Sequence, residues 1–205
     1  MNLHRLFNKY RCDKGFKHCY HEVYEKEFQP LKEEKINILE IGIFRGTSTS
    51  AFLEYFPNAM IYGIDIFTRI NPKEIDVLQH ERVKWLKGDS LSRNITREIK
   101  SKWPDVKFDI VIDDAKHTPE ANAITFKNIS PLVKDTGMYF VEDVFPMHKM
   151  TVKEMDNEWV KSHQDELNYL QFTKFEKAID GWEVKEFDLR KKSNQPESYI
   201  FKMYR

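Results

Sequence analysis

Two pairs of carboxylates and one histidine are the side chains whose types and spacing most favour chemistry in this sequence. The set comprises Asp113, Asp114, His117, Glu142 and Asp143. The first pair ends an apolar run that begins at Phe108, and the second pair ends one that begins at Gly137. Clustered carboxylates repel one another unless a positive charge lies among them, and Mg²⁺ prefers oxygen ligands. The pattern therefore predicts a divalent-cation site, provided that the fold brings these residues together.

Parallel strands would bring them together. The two apolar runs are short, continuous and rich in β-branched or aromatic residues, which is typical of buried parallel strands. Ligands of an open α/β sheet bind outside the carboxyl ends of its strands. We therefore expect both acidic pairs and the histidine to gather at one rim of the sheet.

The rest of the central region alternates between strand and helix patterns. The predicted strands span 36–41, 60–65, 83–90, 108–113 and 138–142, and the predicted helices span 49–56, 96–103 and 119–129. Such alternation is typical of βαβ units and a parallel sheet.

The two ends of the chain have different patterns. Residues 1–35 predict two short capping helices with Asp13-Lys14-Gly15 in the turn between them, and 152–179 predict one long or broken helix. The candidate buried residues of that second region are Trp159, Leu167, Leu170, Phe172 and Phe175. Segments 182–189 and 199–204 predict a closing antiparallel hairpin. We expect one domain over 1–205, made of a helical cap (1–35), a cofactor- and metal-binding core (36–145) and an acceptor-side helix with the hairpin (146–205).

Composition limits the classes of partner. The chain has 205 residues, enough for one sizeable core, and its 33 Lys+Arg balance its 33 Asp+Glu. This balance gives no support to a nucleic-acid or membrane partner. Cys12 and Cys19 lack a Cys-x-x-Cys companion, so we expect free thiols rather than a zinc knuckle. With no apolar run near the length of a membrane span or a signal peptide, we expect a cytoplasmic protein, and a homo-oligomer is left open.

The glycine loop after the first strand distinguishes two cofactor classes. A dinucleotide site needs Gly-x-Gly-x-x-Gly, whereas this loop offers only Gly42 and Gly46 and is preceded by Glu40. An acid repels a pyrophosphate but suits S-adenosylmethionine, which carries an ammonium and a sulfonium and has no phosphate. We therefore assign Glu40, both glycines and the following Thr47 and Ser48 to S-adenosylmethionine. The alternative is that the glycines only make a tight turn.

Residues at the ends of the second, third and fourth predicted strands are further candidates for binding the cofactor. Asp65 lies about twenty residues after the loop, where a ribose hydroxyl pair would be held. Asp89 and Ser90 follow the third strand and offer acceptors to an adenine amino group. Asp113 is also assigned to the cofactor side. Helix capping is the alternative for Asp65 and Asp89, and capping of the following turn is the alternative for Asp113.

The chain resembles a class I methyltransferase in several segments taken in order. These are Leu39-Glu40-Ile41-Gly42 through Gly46, Tyr62-Gly63-Ile64-Asp65, Gly88-Asp89-Ser90, Asp113-Asp114-x-x-His117 and Val141-Glu142-Asp143. More narrowly, it resembles the metal-dependent sugar O-methyltransferases of macrolide biosynthesis, of the macrocin and mycinamicin type. The resemblance covers about residues 8–145 and includes Asp13-Lys14 and Tyr24-Glu25 at the family's N-terminal entry.

The resemblance implies a Rossmann-like fold with a seven-stranded, mostly parallel sheet that ends in an antiparallel hairpin. It implies S-adenosylmethionine and Mg²⁺ as cofactors. By position, the metal ligands fall on Asp114, Glu142 and Asp143, the catalytic base on His117, and two further cofactor-side residues on Asp13 and Lys14. The family usually has Asp-Asp-Gly-Ser-His, where this chain has Ala115-Lys116 between the acids and the histidine.

The expected reaction is methyl transfer to a hydroxyl group of a sugar, glycan or glycosylated natural product. A sugar hydroxyl is a poor acid, and a divalent metal lowers its pKa and orients it. A neutral imidazole nearby then takes the proton at about neutral pH. Asp114 and His117, three residues apart, would place metal and base side by side. Three rivals stay open: a catechol-type O-methyltransferase, a non-catalytic S-adenosylmethionine-binding protein, and an NAD-dependent oxidoreductase, which the missing third glycine disfavours.

Overall fold

A computed structural model describes all 205 residues and places seven strands in one sheet. The strands are β1 (Asn37–Ile41), β2 (Met60–Asp65), β3 (Val83–Lys87), β4 (Phe108–Asp113), β5 (Val133–Val141), β6 (Glu183–Asp188) and β7 (Tyr199–Tyr204). Their spatial order is β3-β2-β1-β4-β5-β7-β6, with β1 to β5 parallel and the β6–β7 hairpin antiparallel. The predicted α/β class, the seven-stranded sheet and the closing hairpin are confirmed.

Eleven α-helices surround the sheet. They are α1 (Leu3–Lys9), α2 (Asp13–Phe16), α3 (His21–Phe28), α4 (Thr47–Tyr55), α5 (Ile95–Lys102), α6 (Pro119–Ile129), α7 (Val152–Met155), α8 (Glu158–Ser162), α9 (Gln164–Leu167), α10 (Tyr169–Ala178) and α11 (Arg190–Ser193). None of them combines the length and apolar character that crossing a bilayer requires.

The strand order creates a crevice at the centre of the sheet. The chain moves from β1 outwards to β3 and then returns to place β4 on the other side of β1. At such a switch point the connecting segments diverge and leave room for a ligand. The register sets Ile41 opposite Asp113, and Asp113 opposite Val141. The segments that follow β1, β4 and β5 therefore leave the sheet at the same level.

Successive side chains along each strand point to opposite faces of the sheet and pack into a separate apolar core on each face. Ile38 of β1 faces a core that includes aromatic residues of α3 and α4, such as Phe28 and Phe52. Its neighbour Leu39 faces a second core, to which α6 contributes Phe126 and α10 contributes Phe172. The N-terminal cap is thus packed directly on one face of the sheet.

One expectation about the ends of the chain was wrong in detail, and the other was confirmed in its broken form. Residues 13–16 form the one-turn helix α2 rather than a turn, because the amides of Lys17 and His18 both donate to the carbonyl of Asp13. The region 152–179 divides into the four helices α7 to α10, and the side chains of Asn157 and Asn168 accept backbone hydrogen bonds at the starts of α8 and α10.

Burial in that region was predicted correctly at three of five positions. Leu167, Phe172 and Phe175 are fully buried. Trp159 and Leu170 are 38% and 64% exposed, which contradicts the prediction. The helix breaks turn these two side chains away from the core, and Trp159 instead stacks on Phe145 at a centroid distance of 4.7 Å.

Candidate active site

One large cavity, of about 890 Å³, opens at the carboxyl ends of β1 to β5. Of the predicted site residues, those that line it are Asp13, Lys14, Gly42, Thr47, Ser48, Asp65, Asp89, Ser90, Asp114, His117 and Asp143. The other four, Glu40, Gly46, Asp113 and Glu142, lie behind this surface. Residues of the region after 145 also line the cavity.

Asp114, His117 and Asp143 converge in this cavity. Nε2 of His117 lies 3.9 Å from Oδ1 of Asp114 and 3.8 Å from Oδ2 of Asp143. One ligating atom from each side chain fits within 4.8 Å of the other two. All three side chains are half-buried, so they are accessible from the cavity. Two carboxylates and an imidazole at this spacing are a donor set that fits a divalent cation.

Glu142 points to the other side of Asp114. Its carboxylate accepts hydrogen bonds from the ammonium of Lys14 and from the hydroxyl of Tyr24, and it is 1% exposed. Nζ of Lys14 also lies 2.5 Å from Oδ2 of Asp114. The predicted meeting of acids from β4 and β5 around a positive charge therefore occurs, and that charge is the Lys14 ammonium.

Burial and charge act in opposite directions on these groups. Burial disfavours the charged forms of Lys14 and Asp114, but their ion pair outweighs it, so the pKa of Lys14 is raised well above its ordinary value and that of Asp114 is lowered. Burial raises the pKa of Glu142 well above its usual range and raises the pKa of Asp143 against the opposing effect of His117. Burial is thus the larger influence on these two acids, and their charged neighbours offset only part of it.

The helical cap also contacts Asp143. Tyr20 donates its hydroxyl to Oδ1 of Asp143 at 2.5 Å and accepts the backbone N–H of Asp143 at 3.2 Å. His18, which is buried, places Nδ1 2.9 Å from Oγ of Ser198 and 3.8 Å from Oδ1 of Asp143. Asp143 itself adopts a left-handed conformation with φ of 52°, which these contacts hold in place.

Sequence reasoning gave no site role to three of these cap residues. They are His18, Tyr20 and Tyr24, and all three are buried. A usable signal was present, because Tyr20 and Tyr24 are four residues apart and therefore share one helix face. Lys14 and His18 have the same spacing.

The glycine loop passes close to the segment that follows β4. Gly42 has φ of 94°, and a Cβ there would lie 2.1 Å from the carbonyl oxygen of Asp114. Gly46 has φ of 70°, and a Cβ there would lie 2.7 Å from Val77. Only glycine meets both requirements. The loop predicted to bind the cofactor thus lies directly against the segment that carries Asp114.

Glu40 lies beneath this loop. Its carboxylate is fully buried and accepts hydrogen bonds from the hydroxyls of Ser48 and Thr49. Burial raises its pKa, while Lys14 and the two hydroxyls act in the opposite direction. In the structure, Glu40 therefore fixes the start of α4 from behind, and Thr47 and Ser48 form the surface that meets the cavity.

Asp65 joins two loops at the rim of the cavity. Its Oδ2 accepts the amide of Phe44 at 2.9 Å, and its Oδ1 accepts the amide of Phe67 at 2.6 Å. Phe44 and Phe67 both have positive φ, of 50° and 47°. Asp65 also lines the cavity, so it is accessible to a ligand bound there.

The other polar residues on the cofactor side have local partners. Oδ1 of Asp89 accepts the amide of Leu91 at 2.9 Å, and Oγ of Ser90 lies 3.0 Å from Oγ1 of Thr125. Asp113 is buried beside the hydroxyl of Tyr139, and burial raises its pKa to about 7. These contacts match the capping and structural alternatives, and in addition Asp89 and Ser90 line the cavity.

A Rossmann-like sheet with a cavity at its switch point defines the broad class of protein. Comparison with known families identifies the family within that class. The model of the family described as "Methyltransferase domain" matches residues 39–144, which run from β1 through the second acidic pair. The chain belongs to this methyltransferase family.

Two curated relatives illustrate its place in the family. An 8-demethyl-8-(2-methoxy-alpha-L-rhamnosyl)-tetracenomycin-C 3'-O-methyltransferase from Streptomyces olivaceus is 27% identical over 198 residues, which cover 88% of this chain and 49% of the relative. A mycinamicin VI 2''-O-methyltransferase from Micromonospora griseorubida is 28% identical over 152 residues, covering 70% of this chain and 36% of the relative. The chain thus spans half or less of the length of these relatives.

Solved structures share the fold. MycE methyltransferase from the mycinamycin biosynthetic pathway, in complex with Mg, SAH and mycinamycin VI, superposes with a TM-score of 0.69 at 21% identity. The match covers all of this chain and 54% of that one. A fibrillarin pre-rRNA processing protein from Methanococcus jannaschii has a TM-score of 0.55 at 20% identity over 84% of this chain and 67% of its own.

Proposed function

We propose that this chain transfers the methyl group of S-adenosylmethionine to a hydroxyl of a glycosylated small molecule, with a divalent cation such as Mg²⁺ assisting. One observation carries the proposal: Asp114, His117 and Asp143 meet in the same cavity as the glycine loop and Asp65. A methyl donor and an acceptor hydroxyl bound in this cavity would lie beside both the acids and the imidazole.

The names of the relatives support this acceptor class. One is named for O-methylation of a rhamnosyl-bearing tetracenomycin and the other for O-methylation of mycinamicin VI, and MycE was solved with Mg, SAH and mycinamycin VI. The bound SAH is the demethylated form of the donor proposed here. We extend donor, metal and acceptor class to this chain because its own residues supply the matching chemistry.

Asp114 and Asp143 are the residues proposed to hold the cation, with Glu142 as the third predicted ligand. A bound Mg²⁺ supplies Lewis acidity that orients the acceptor hydroxyl and lowers its pKa. His117 is proposed as the base rather than a ligand, since Mg²⁺ prefers oxygen donors. Its Nε2 takes the hydroxyl proton as the acceptor oxygen bonds to the methyl carbon and the bond from that carbon to sulfur breaks.

The cofactor side of the proposed site has the polarity that the donor requires. We assign Asp65 to the ribose hydroxyls and Asp89 with Ser90 to the adenine, and all three residues line the cavity. Asp13 is the cavity-lining acid of the cap that we assign to the same side. Because these residues lie on separate rigid elements, they orient the donor before transfer, and such positioning contributes much of the rate.

We assign the acceptor side to Phe145 and the region that follows it. Phe145, Asn157, Trp159, Gln195 and Glu197 line the cavity there. This mixture of aromatic rings, amides and a carboxylate suits a sugar, which presents both an apolar face and hydroxyl groups.

A transfer assay with labelled S-adenosylmethionine tests the proposal. We expect methylation of methyl α-L-rhamnoside with Mg²⁺ present and none after addition of EDTA, and we expect calorimetry to show binding of S-adenosylhomocysteine. Methylation of catechol without any sugar product would favour the catechol-type rival. Binding of S-adenosylhomocysteine without turnover of a broad panel of sugar-bearing acceptors would favour a non-catalytic role.

A further inference from the structure

A lysine from the N-terminal cap occupies a cation position inside the acidic cluster. Nζ of Lys14 lies 2.5 Å from Oδ2 of Asp114 and also donates to Oε2 of Glu142, and the whole residue is 2% exposed. These contacts join α2 to the ends of β4 and β5 across 100 and 128 positions of sequence. A charge buried this deeply is retained only when it is paired.

Asp114 therefore serves two cation positions with its two oxygens. Oδ2 faces the Lys14 ammonium, while Oδ1 faces Nε2 of His117. Asp143 approaches only the second position, through its Oδ2. The three acids carry three formal negative charges, of which Lys14 offsets one and a divalent ion would offset the other two.

Both oxygens of Glu142 already accept hydrogen bonds, and the residue is only 1% exposed. Its Oε1 accepts the Tyr24 hydroxyl, and its Oε2 accepts the Lys14 ammonium. A divalent ion that recruits Glu142, as the family pattern implies, must take the place of the ammonium there. An ion that stays between Asp114 and Asp143 is still repelled by the ammonium, because both share one carboxylate.

The cap also has contacts, within itself and to α4, that do not involve Lys14. The backbone N–H of Leu3 donates to Glu25 at 2.6 Å, which ties α1 to α3. Phe7 and Phe28 both pack edge-on against Phe52 of α4. The Lys14 ammonium is therefore available for a role other than anchoring the cap.

We propose that Lys14 is a positioning residue that competes with the divalent cation, so that it limits metal affinity and couples the position of α2 to metal occupancy. The proposal rests on the metal use proposed above. The ammonium holds Asp114 and Glu142 together when no ion is bound, and it yields Glu142 when an ion enters. A purely structural lysine has the opposite signature, because its removal would loosen the acids and weaken metal binding.

Three variants separate these roles. Lys14→Met keeps an unbranched side chain, one atom shorter, and removes the charge. Lys14→Arg keeps the charge, and Lys116→Met removes an exposed lysine that pairs with Glu166 instead. The affinity of each purified protein for Mg²⁺ is measured by calorimetry, and that for Mn²⁺ by electron paramagnetic resonance. The unfolding temperature is measured in EDTA and in Mg²⁺.

We expect Lys14→Met to bind both ions at least tenfold more tightly than the unsubstituted protein, with Lys14→Arg and Lys116→Met within about threefold of it. We also expect Lys14→Met to lose stability in EDTA and to regain it in Mg²⁺. Unchanged or weaker metal binding by a folded Lys14→Met protein would overturn the competition. If Lys14→Met folds only with Mg²⁺, the ion has replaced the ammonium, whereas a protein that stays unfolded with Mg²⁺ would contradict the proposal.

A different set of results is expected if the proposed function itself, rather than the role of Lys14, is wrong. If neither the unsubstituted protein nor any variant binds Mg²⁺ or Mn²⁺, the proposed use of a metal is wrong, and the competition fails with it. If the unsubstituted protein binds Mg²⁺ but Lys14→Met binds it no more tightly, only the role of Lys14 is wrong.

Discussion

Nζ of Lys14 lies 2.5 Å from Oδ2 of Asp114, and Oδ1 of the same carboxylate faces Nε2 of His117 at 3.9 Å. One carboxylate thus connects the N-terminal cap to the candidate catalytic base. Asp114 is half-buried, whereas Lys14 and its other partner Glu142 are almost completely enclosed. Asp114 is therefore the member of this ion-pair network that is open to a ligand in the cavity.

Substitution of Asp114 by Asn is expected to abolish metal-dependent turnover. The amide removes a negative charge from the cation site but keeps the side-chain shape, so we expect kcat/KM to fall by about 10³-fold. The affinity for S-adenosylhomocysteine, measured by calorimetry, should stay within about threefold. Parallel loss of turnover and of S-adenosylhomocysteine binding would show that Asp114 is structural.

Substitution of His117 by Asn is expected to separate proton transfer from metal binding. Loss of a general base lowers the rate by about 10² to 10⁴-fold, whereas the affinity for Mg²⁺ should change little if the two acids hold the ion. His148→Asn is the control, because His148 is exposed and does not line the cavity. A loss of Mg²⁺ affinity as large as the loss of rate would identify His117 as a ligand.

Asp65→Asn is expected to weaken S-adenosylhomocysteine binding about tenfold or more, because the amide nitrogen cannot accept a hydrogen bond from the ribose or from the amides of Phe44 and Phe67. Calorimetric titration checks this, with the exposed Glu74→Gln as the matched acidic control. Unchanged affinity in Asp65→Asn would remove this residue from the ribose role.

Gly42→Ala is expected to destabilise the protein more than Gly181→Ala does. Both glycines have positive φ, of 94° and 83°, so both substitutions carry about 1 kcal/mol or more of backbone strain. Only the Cβ at position 42 meets another group, the carbonyl of Asp114 at 2.1 Å, while nothing lies within 4 Å at position 181. Chemical denaturation of both variants measures the difference, and equal losses would show that the close approach has no energetic weight.

Glu27→Gln is expected to cost about 1–2 kcal/mol of unfolding free energy at pH 7. Glu27 accepts from Lys185 at 2.9 Å and from Lys202 at 2.6 Å, tying α3 to the β6–β7 hairpin. Burial raises its pKa, but the two lysines prevail and hold it below the ordinary value of 4.5.

The pH dependence of that variant follows from the lowered pKa. A carboxylate with a depressed folded-state pKa stabilises the fold above its unfolded pKa, and the contribution is lost as the pH falls through the folded value. The stability gap between Glu27→Gln and the unsubstituted protein should therefore be full at pH 7 and close below about pH 4. Denaturation curves at several pH values check this, with the exposed Glu34→Gln as control. A gap that is independent of pH would show that lost packing, rather than charge, causes the destabilisation.

Much of the fold follows from local pattern. The bounds of β2, β4 and α6 were predicted to the residue, because apolar periodicity and a helix-starting proline mark them in the sequence. The pattern over 152–179 predicted one long or broken helix, and the structure has the broken form, with new helices starting after Asn157 and Asn168. Side-chain caps compete with helix continuation, and periodicity alone does not reveal which of them prevails.

The sequence by itself determined which residues follow the strand ends, and hence that Asp114, His117 and Asp143 belong to one rim. It also determined the family, through the glycine loop and the two acidic pairs. Only the tertiary structure decided that Glu142 turns away from the cavity towards Tyr24, and that the cation between Glu142 and Asp114 is Lys14. Strand ends are brought together by regular backbone pairing, which local pattern predicts. The pairing of a buried ammonium with acids 100 and 128 residues away depends on how the cap packs on the sheet, and that packing is a property of the whole chain.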